Sequence, residues 1–393
     1  MKQAISLELN SLLQIIHGLN SIEGFQHPDF DLNRFQQLIK YHGIQALVFE
    51  QDQKNRFLPE NVRHELTQFM QQQVIFNLRY TAESNRLLAL FATYNIPILI
   101  LKGNLFIKRI YQNKLLRSSS DLDVLVQKKH VNKSLEILLQ DGYRIQSANH
   151  SGYDKLPEEL QNLISQESLH HEIHIEKGIF NVDFHWDIFQ YFFYQKYQER
   201  KPLIEEIFQQ TELIDSNGFK THQLTNEGIF WTLLAHHGAK ESWFRLRHLQ
   251  DLHAFLIQFG SSLNWESILP KLETYRLSPA FNNALYLLKN HFHYSLPFKL
   301  ENELINFDSQ GIVTIINQWE RGIYWSKNRR ETLRYWWLLG KMQDQQFNYI
   351  SYMLAYLKYF LNIKKQESYP NKFGFYQLPA ALLKLFLRLI QKK

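Results

Sequence analysis

Residues 96–126 read IPILILKGNLFIKRIYQNKLLRSSSDLDVLV, and the spacing of the apolar residues changes three times along them. Ile96-Pro97-Ile98-Leu99-Ile100-Leu101 is a short apolar run closed by Lys102-Gly103, the pattern of a buried strand and a turn. The spacing then predicts a short helix over 104–111. After the polar loop Leu116-Arg117-Ser118-Ser119-Ser120, the run Asp121-Leu122-Asp123-Val124-Leu125-Val126 alternates at period two. That period turns Asp121 and Asp123 to one side of a strand and Leu122, Val124 and Val126 to the other. Two carboxylates so close repel unless a divalent cation lies between them. Mg2+ takes oxygen ligands of this kind together with substrate phosphates. The Lys102-Gly103 turn, leading from strand into helix, offers backbone N–H groups for a phosphate.

Outward from this stretch the pattern is mostly helical. Upstream, helices are predicted over 1–24, over 31–43 with Asp31 as N-cap and Gly43 as stop, and over 58–94. Downstream, a helix over 130–140 precedes two alternating runs, 171–176 and 181–187, set around Lys177-Gly178 as an antiparallel hairpin. On its second arm Asp183, His185 and Asp187 share one face, opposite Val182, Phe184 and Trp186, so Asp183 brings a third carboxylate. From about residue 195 only helical patterns follow, broken near Ser216-Asn217-Gly218, Gly260-Ser261-Ser262 and Tyr369-Pro370. The expected architecture is α+β: a small mixed sheet core over 59–195, an N-terminal helical region over 1–58 and a large C-terminal helical region over 196–393.

Composition agrees. With 15 Gly and 10 Pro in 393 residues, breakers are about half as frequent as usual, which excludes an all-β sandwich with its closely spaced turns. The absence of cysteine excludes disulfides, thiolate metal sites and a cysteine nucleophile. The first residues read as an ordinary helix rather than a secretory signal. No run of 18 uncharged apolar residues occurs, so the expectation is a cytoplasmic protein without a spanning helix. Net charge is +6, but residues 326–393 hold 13 Lys or Arg against three acids, leaving the first 325 residues at −4.

The residues quoted above resemble the nucleotidyltransferase signature of the DNA polymerase β-like superfamily: a hydrophobic residue, Gly, a small residue, a spacer, then Asp-hydrophobic-Asp. More narrowly, the chain is similar to a bacterial family of uncharacterised nucleotidyltransferases. The matches are Leu101-Lys102-Gly103, Arg117 four residues before Asp121, Asp183-Phe184-His185-Trp186, and a helical segment carrying His237, Gly238, Lys240, Arg245, Leu246 and Asp251. The resemblance implies a polymerase β-like core. It also implies transfer of a nucleoside monophosphate from a nucleoside triphosphate such as ATP to an acceptor hydroxyl, with pyrophosphate leaving. It further implies that Asp121, Asp123 and Asp183 hold two Mg2+ ions (Mn2+ as a substitute), with Asp183 helping to deprotonate the acceptor. Lys102, Gly103, Arg117 and Ser119 would surround the phosphates, and Lys240 and Arg245 would close from the helical side. Two residues depart from the pattern: Asn104 replaces the usual Gly or Ser, and Asp183 stands where the narrower family often has Glu. The acceptor is open among small molecule, protein and RNA.

Two rival classes follow from the same residues. One is a nucleotide- or partner-binding protein of this fold without turnover. The other is a nucleic-acid or membrane-surface module built on the basic end, where Lys384, Arg388 and Lys392 form one stripe of an otherwise apolar helix. Docking of that helix on the protein body is the preferred reading of the stripe. The run His170-His171-Glu172-Ile173-His174 lacks the spacing of a helical zinc motif. On a strand it places His170, Glu172 and His174 on one face and His171 on the other, and reads as a partly exposed polar strand. His236, His237, His248, Asp251 and His253 resemble a metal phosphohydrolase set, but adjacent helical histidines diverge by about 100°. Packing or a nucleotide contact is preferred there.

Overall fold

The computed structural model describes residues 5–18, 23–101, 104–111, 117, 121–145, 158, 161, 164, 171–188, 197–216, 218–304, 310–323 and 342. Lys102, Gly103, Ser119, His170 and the basic stripe Lys384, Arg388 and Lys392 lie outside them. The structure is mixed α+β, mostly helical around a small mixed sheet. Helices α1 (Leu7–Ile16), α2 (Leu32–His42), α3 (Gln45–Asn55) and the long α4 (Glu60–Thr93) lead into strand β1 (Ile98–Ile100). Then come α5 (Asn104–Ile110), β2 (Leu122–Val126), α6 (Val131–Gln140), β3 (Arg144–Ile145), β4 (Glu172–Lys177) and β5 (Phe180–His185). The predicted helix over 1–24 stops at Ile16, because Gly18 turns the chain at φ 72°. Asp31 caps α2 as expected, accepting from the Arg34 N–H at 3.0 Å, and Gly43 ends that helix at φ 66°. A Cβ on Gly43 would stand 2.7 Å from the Arg247 side chain, so both the turn and the close approach require glycine there.

One expectation fails downstream. Helical patterns were expected throughout from residue 195, whereas β6 (Thr211–Ser216) and β7 (Phe219–Leu224) form an antiparallel hairpin after α7 (Tyr197–Gln209). The break read near Ser216-Asn217-Gly218 falls between the two arms, with Gly218 at φ 87°. The arms hid their period because β6 has no buried face. Helix α8 (Asn226–Leu233) follows, capped by Thr225, and continues without interruption into a π-helix over Leu234–Lys240. Helices α9 (Leu246–Phe259), α10 (Trp265–Thr274), α11 (Ser278–His291) and α12 (Gln310–Arg321) follow, with a single helical turn over Phe298–Glu301 before α12.

The main sheet runs β1-β2-β5-β4-β3. Its one parallel pair is β2 with β5, and the other neighbours are antiparallel. One face carries Leu122, Val124, Val126, Ile173, Ile175, Val182 and Phe184, packed with Leu87, Leu88 and Phe91 of α4 and Leu135 and Leu138 of α6. The other face is polar except for the paired Leu99 and Leu125, which join a second core of the N-terminal helices and α7–α12. Alternation therefore sets the sheet between an apolar core and a helical body, with its polar residues between the two.

Two polar devices fix this arrangement. On α4, Arg86 bonds both Glu83 and, at 2.6 and 2.8 Å, Asp141 at the end of α6, while Lys177 of β4 reaches Asp141 at 3.0 Å. In the helical body, buried His42 accepts the Leu246 N–H at Nδ1 (3.1 Å), and its Nε2 meets the Trp319 carbonyl at 3.2 Å. Only a neutral imidazole serves both contacts. Burial first, and nearby Arg245 second, push the His42 pKa down to about 3, against the Trp319 bond, which raises it.

A base with a lowered native pKa binds fewer protons folded than unfolded, so stability is lost as the pH falls below the unfolded value of about 6.5. From pH 7 to pH 5, His42 alone should remove about 2 kcal/mol from the unfolding free energy. Half-buried His253, with a pKa pushed down to about 4, chiefly by burial, acts in the same direction. Urea denaturation at the two pH values checks this, and an unchanged midpoint would refute the assignment.

Candidate active site

The polar face of the sheet is built by register. Asp123 lies opposite Asp183 across the parallel β2–β5 pair, and on β4 Glu172 and His174 lie opposite His185 and Asp183. Five polar side chains thus share one face of three adjacent strands. Asp121, half-buried, precedes β2 on the same alternation as Asp123. Leu101, just past β1, donates its N–H to the Asp123 carbonyl at 2.9 Å, so the chain leaves the sheet beside Asp123.

The side chains form a connected series. His174 Nδ1 meets Asp183 Oδ1 at 2.5 Å, and His185 Nε2 meets Asp123 Oδ1 at 2.9 Å. The other ring nitrogen of His185 lies 3.1 Å from Glu172 Oε2. The same oxygen lies 3.0 Å from His171 Nε2 and 3.3 Å from Lys240 Nζ. Burial pushes Glu172 up, but the charges of His171, Lys240 and His185 outweigh it and hold the carboxyl well below its usual range. The bond to Asp183 raises His174, favouring its charged form. Ligand atoms of Asp123, Asp183 and His185 lie within 4.8 Å of one another, as do those of His171, Glu172 and His185.

A second buried group stands on the helical side. Asp251 of α9 accepts from Tyr111 at 2.7 Å, pairs with the Arg117 guanidinium at 3.2 Å and meets His237 Nε2 at 3.0 Å. His237 stacks on His248, ring centroids 4.7 Å apart. Burial raises the Asp251 pKa, and the opposing Arg117 charge and His237 bond overcome it, keeping the group ionised. Arg117, predicted to face phosphate, is thus also held by an acid from the helical body.

The π-helix and the reversal behind it carry both contacts. A π-turn widens the helix, and this one sends His237 to Asp251 and Lys240 to Glu172. Ser242 and Trp243 follow with consecutive positive φ of 51° and 56°, a strained reversal. It is held by the fully buried Trp243, whose Nε1 donates to the Ala280 carbonyl at 2.8 Å. Gly238 makes room for it, since a Cβ would stand 2.7 Å from the indole. Arg245 then opens α9 at its N-cap position, with its guanidinium 5.9 Å from the Tyr41 ring centre.

Of the sequence-derived site residues, the structure brings Asp123 and Asp183 to one sheet face and Lys240 against that face, with Asp121 half-buried just before β2. Arg117 sits one layer away with Asp251, and Arg245 stands over Tyr41. Sequence reasoning read His171 and Glu172 as part of a partly exposed polar strand and Asp251 as part of a histidine–acid set engaged in packing or a nucleotide contact. The exposed-strand reading of 170–174 missed that His171 is buried and turned onto Glu172. Pairing 172–177 against 180–185 through the Lys177-Gly178 turn would have placed Glu172 beside His185.

The chain belongs to an uncharacterised nucleotidyltransferase family, whose model matches residues 28–293. That membership points to nucleotidyl transfer as the class of activity and to a nucleotide as substrate. No curated protein and no solved structure matches the chain. Among the described residues, no helix is long and apolar enough to cross a membrane.

Removing Asp251 leaves the Arg117 charge buried beside Tyr111 without its acid. Asp251→Ala should therefore cost about 3–5 kcal/mol of unfolding free energy. A loss within about 0.5 kcal/mol, the range of an ordinary surface change, would show that the pair is not a buried constraint.

Proposed function

We propose that the protein transfers a nucleoside monophosphate from a nucleoside triphosphate to an acceptor hydroxyl, on a polymerase β-like core, in the cytoplasm. One observation carries the reading: the parallel β2–β5 pair sets Asp123 and Asp183 in register on one face, with Asp121 on the same alternation. On this reading residues 59–195 form the transferase core between helical regions 1–58 and 196–393.

The donor set suits a hard divalent cation. Carboxylate oxygens of Asp123 and Asp183 lie within 4.8 Å of each other, and aspartates are the ligands Mg2+ accepts beside phosphate oxygens. Asp121, Asp123 and Asp183 would hold it, and when bound it would neutralise the charge developing on the transferred phosphoryl group. The protein's own residues do the rest. His185 fixes the Asp123 carboxylate through its 2.9 Å contact, and His174 fixes Asp183. Asp183 takes the proton of the acceptor hydroxyl as that oxygen bonds to the α-phosphorus, while the bond to pyrophosphate breaks and its electron pair leaves with pyrophosphate. On this reading Lys102, Gly103, Arg117 and Ser119 would contact the phosphates, with Lys240 and Arg245 closing from the helical body.

The test is incubation with each labelled triphosphate, Mg2+ and cell extract, followed by identification of the labelled acceptor and assay of pyrophosphate. Asp123→Asn and Asp183→Asn should each abolish release while the protein remains folded. Undiminished release in both variants would overturn the mechanism, and nucleotide binding without release in the wild type would reassign the protein as a binding module.

A further inference from the structure

Glu172 is not used by the transfer chemistry, yet three nitrogens converge on its Oε2: His171 Nε2 at 3.0 Å, His185 Nδ1 at 3.1 Å and Lys240 Nζ at 3.3 Å. His171 and His185 are 5% and 1% exposed, and these two ring nitrogens make no hydrogen bond despite the short distances. A neutral imidazole carries one N–H. If His185 gives it to Asp123 through Nε2, its Nδ1 turns a lone pair toward a carboxylate, an arrangement that calls for a cation between them. His185 so placed matches a metal-ligating histidine, whose far nitrogen donates to a carboxylate that fixes the ring.

We propose that His171, Glu172 and His185 form a site for a borderline divalent transition ion of the zinc type, separate from the Asp123–Asp183 carboxylate pair. Two imidazoles and one carboxylate select zinc or cobalt over Mg2+, which prefers oxygen. They are also the donor set of zinc sites that keep a fourth position open. Around a tetrahedral ion with bonds near 2.1 Å, neighbouring ligand atoms stand about 3.4 Å apart. The distances of 3.0 and 3.1 Å therefore need to open by only a few tenths of an ångström. Without the ion, the Lys240 ammonium supplies the positive charge at Glu172. Binding would displace it, so the ion and Lys240 compete. If the transfer reading above holds, the displaced Lys240 becomes available to the triphosphate, which couples ion occupancy to substrate binding. The site itself does not depend on that reading.

The experiment is a Co2+ titration of the full-length, chelator-stripped protein, followed by visible ligand-field absorption, with Zn2+ displacement and excess Mg2+ as competitor. The expected result is one equivalent of four-coordinate Co2+, displaced by Zn2+ and not by Mg2+. His171→Ala should weaken it at least about tenfold, and Asp183→Asn should leave it in place. Lys240→Met should tighten it, a gain that a misfolded variant would not show. Absence of stoichiometric binding, failure of Lys240→Met to tighten it, or binding lost in Asp183→Asn but kept in His171→Ala would each overturn the site. Co2+ binding in a protein that releases no pyrophosphate would leave the site standing and remove the transfer reading.

Discussion

The structure depends on one constraint: acids brought into register on a sheet face that the helical body covers. Strands pair about 5 Å apart, and at an effective dielectric of about 20 two like charges at that distance repel by about 3 kcal/mol. Asp123 and Asp183 stand opposite each other in this way, with Glu172 one strand further on. Each acid is met by an imidazole or an ammonium group: His185 on Asp123, His174 on Asp183, and His171 and Lys240 on Glu172. The imidazoles come from the sheet itself, from alternate positions of β4 and β5 and from the residue preceding β4. Lys240 comes from the helical body.

That division explains the irregular backbone between α8 and α9. An ordinary helix running on from α8 would not reverse at Ser242-Trp243, where two non-glycine residues take the left-handed conformation. The strain is held by packing. Trp243 donates to Ala280, and its own carbonyl accepts from Trp319, both at 2.8 Å. Rigidity around the indole delivers Lys240 to one acid and His237 to another, Asp251. The pairing of helical body and sheet is therefore electrostatic where the chemistry lies and apolar elsewhere, with Leu125 as the apolar residue that β2 contributes to the body's core.

Much of this was legible in local patterns. The period-two run 121–126 and the breaker Gly43 gave a strand and a helix end, since both signals act within a few residues. Hairpin β6–β7 was not legible because neither arm hides one face consistently, so the period that betrays a strand was missing. Its Asn217-Gly218 dipeptide was the available signal. Glu172 escaped for another reason. Its partners come from residue 185, reachable through one hairpin, and from residue 240, reachable through no local rule. Arg117 was legible as a cation near the Asp-x-Asp strand, but its acid lies 134 residues away in α9. Long-range charge pairing is a property of the packed chain, and spacing does not encode it.

The same pairing sets a condition on any anionic substrate. The first 325 residues carry a net charge of −4, and cations near the polar face already stand against acids. Lys240 is engaged with Glu172 and Arg117 with Asp251. A triphosphate approaching Asp123 and Asp183 meets carboxylates first. It can be received if cations arrive with it, or if an existing ion pair gives up its cation. Breaking the Arg117 pair takes the cation from a carboxylate that is almost fully buried in α9 and leaves it Tyr111 and His237, whereas the Lys240–Glu172 pair is more open and leaves Glu172 two imidazoles. The two pairs are thus unequal: the first is fixed by burial, and the second is the one that substrate or metal can exchange.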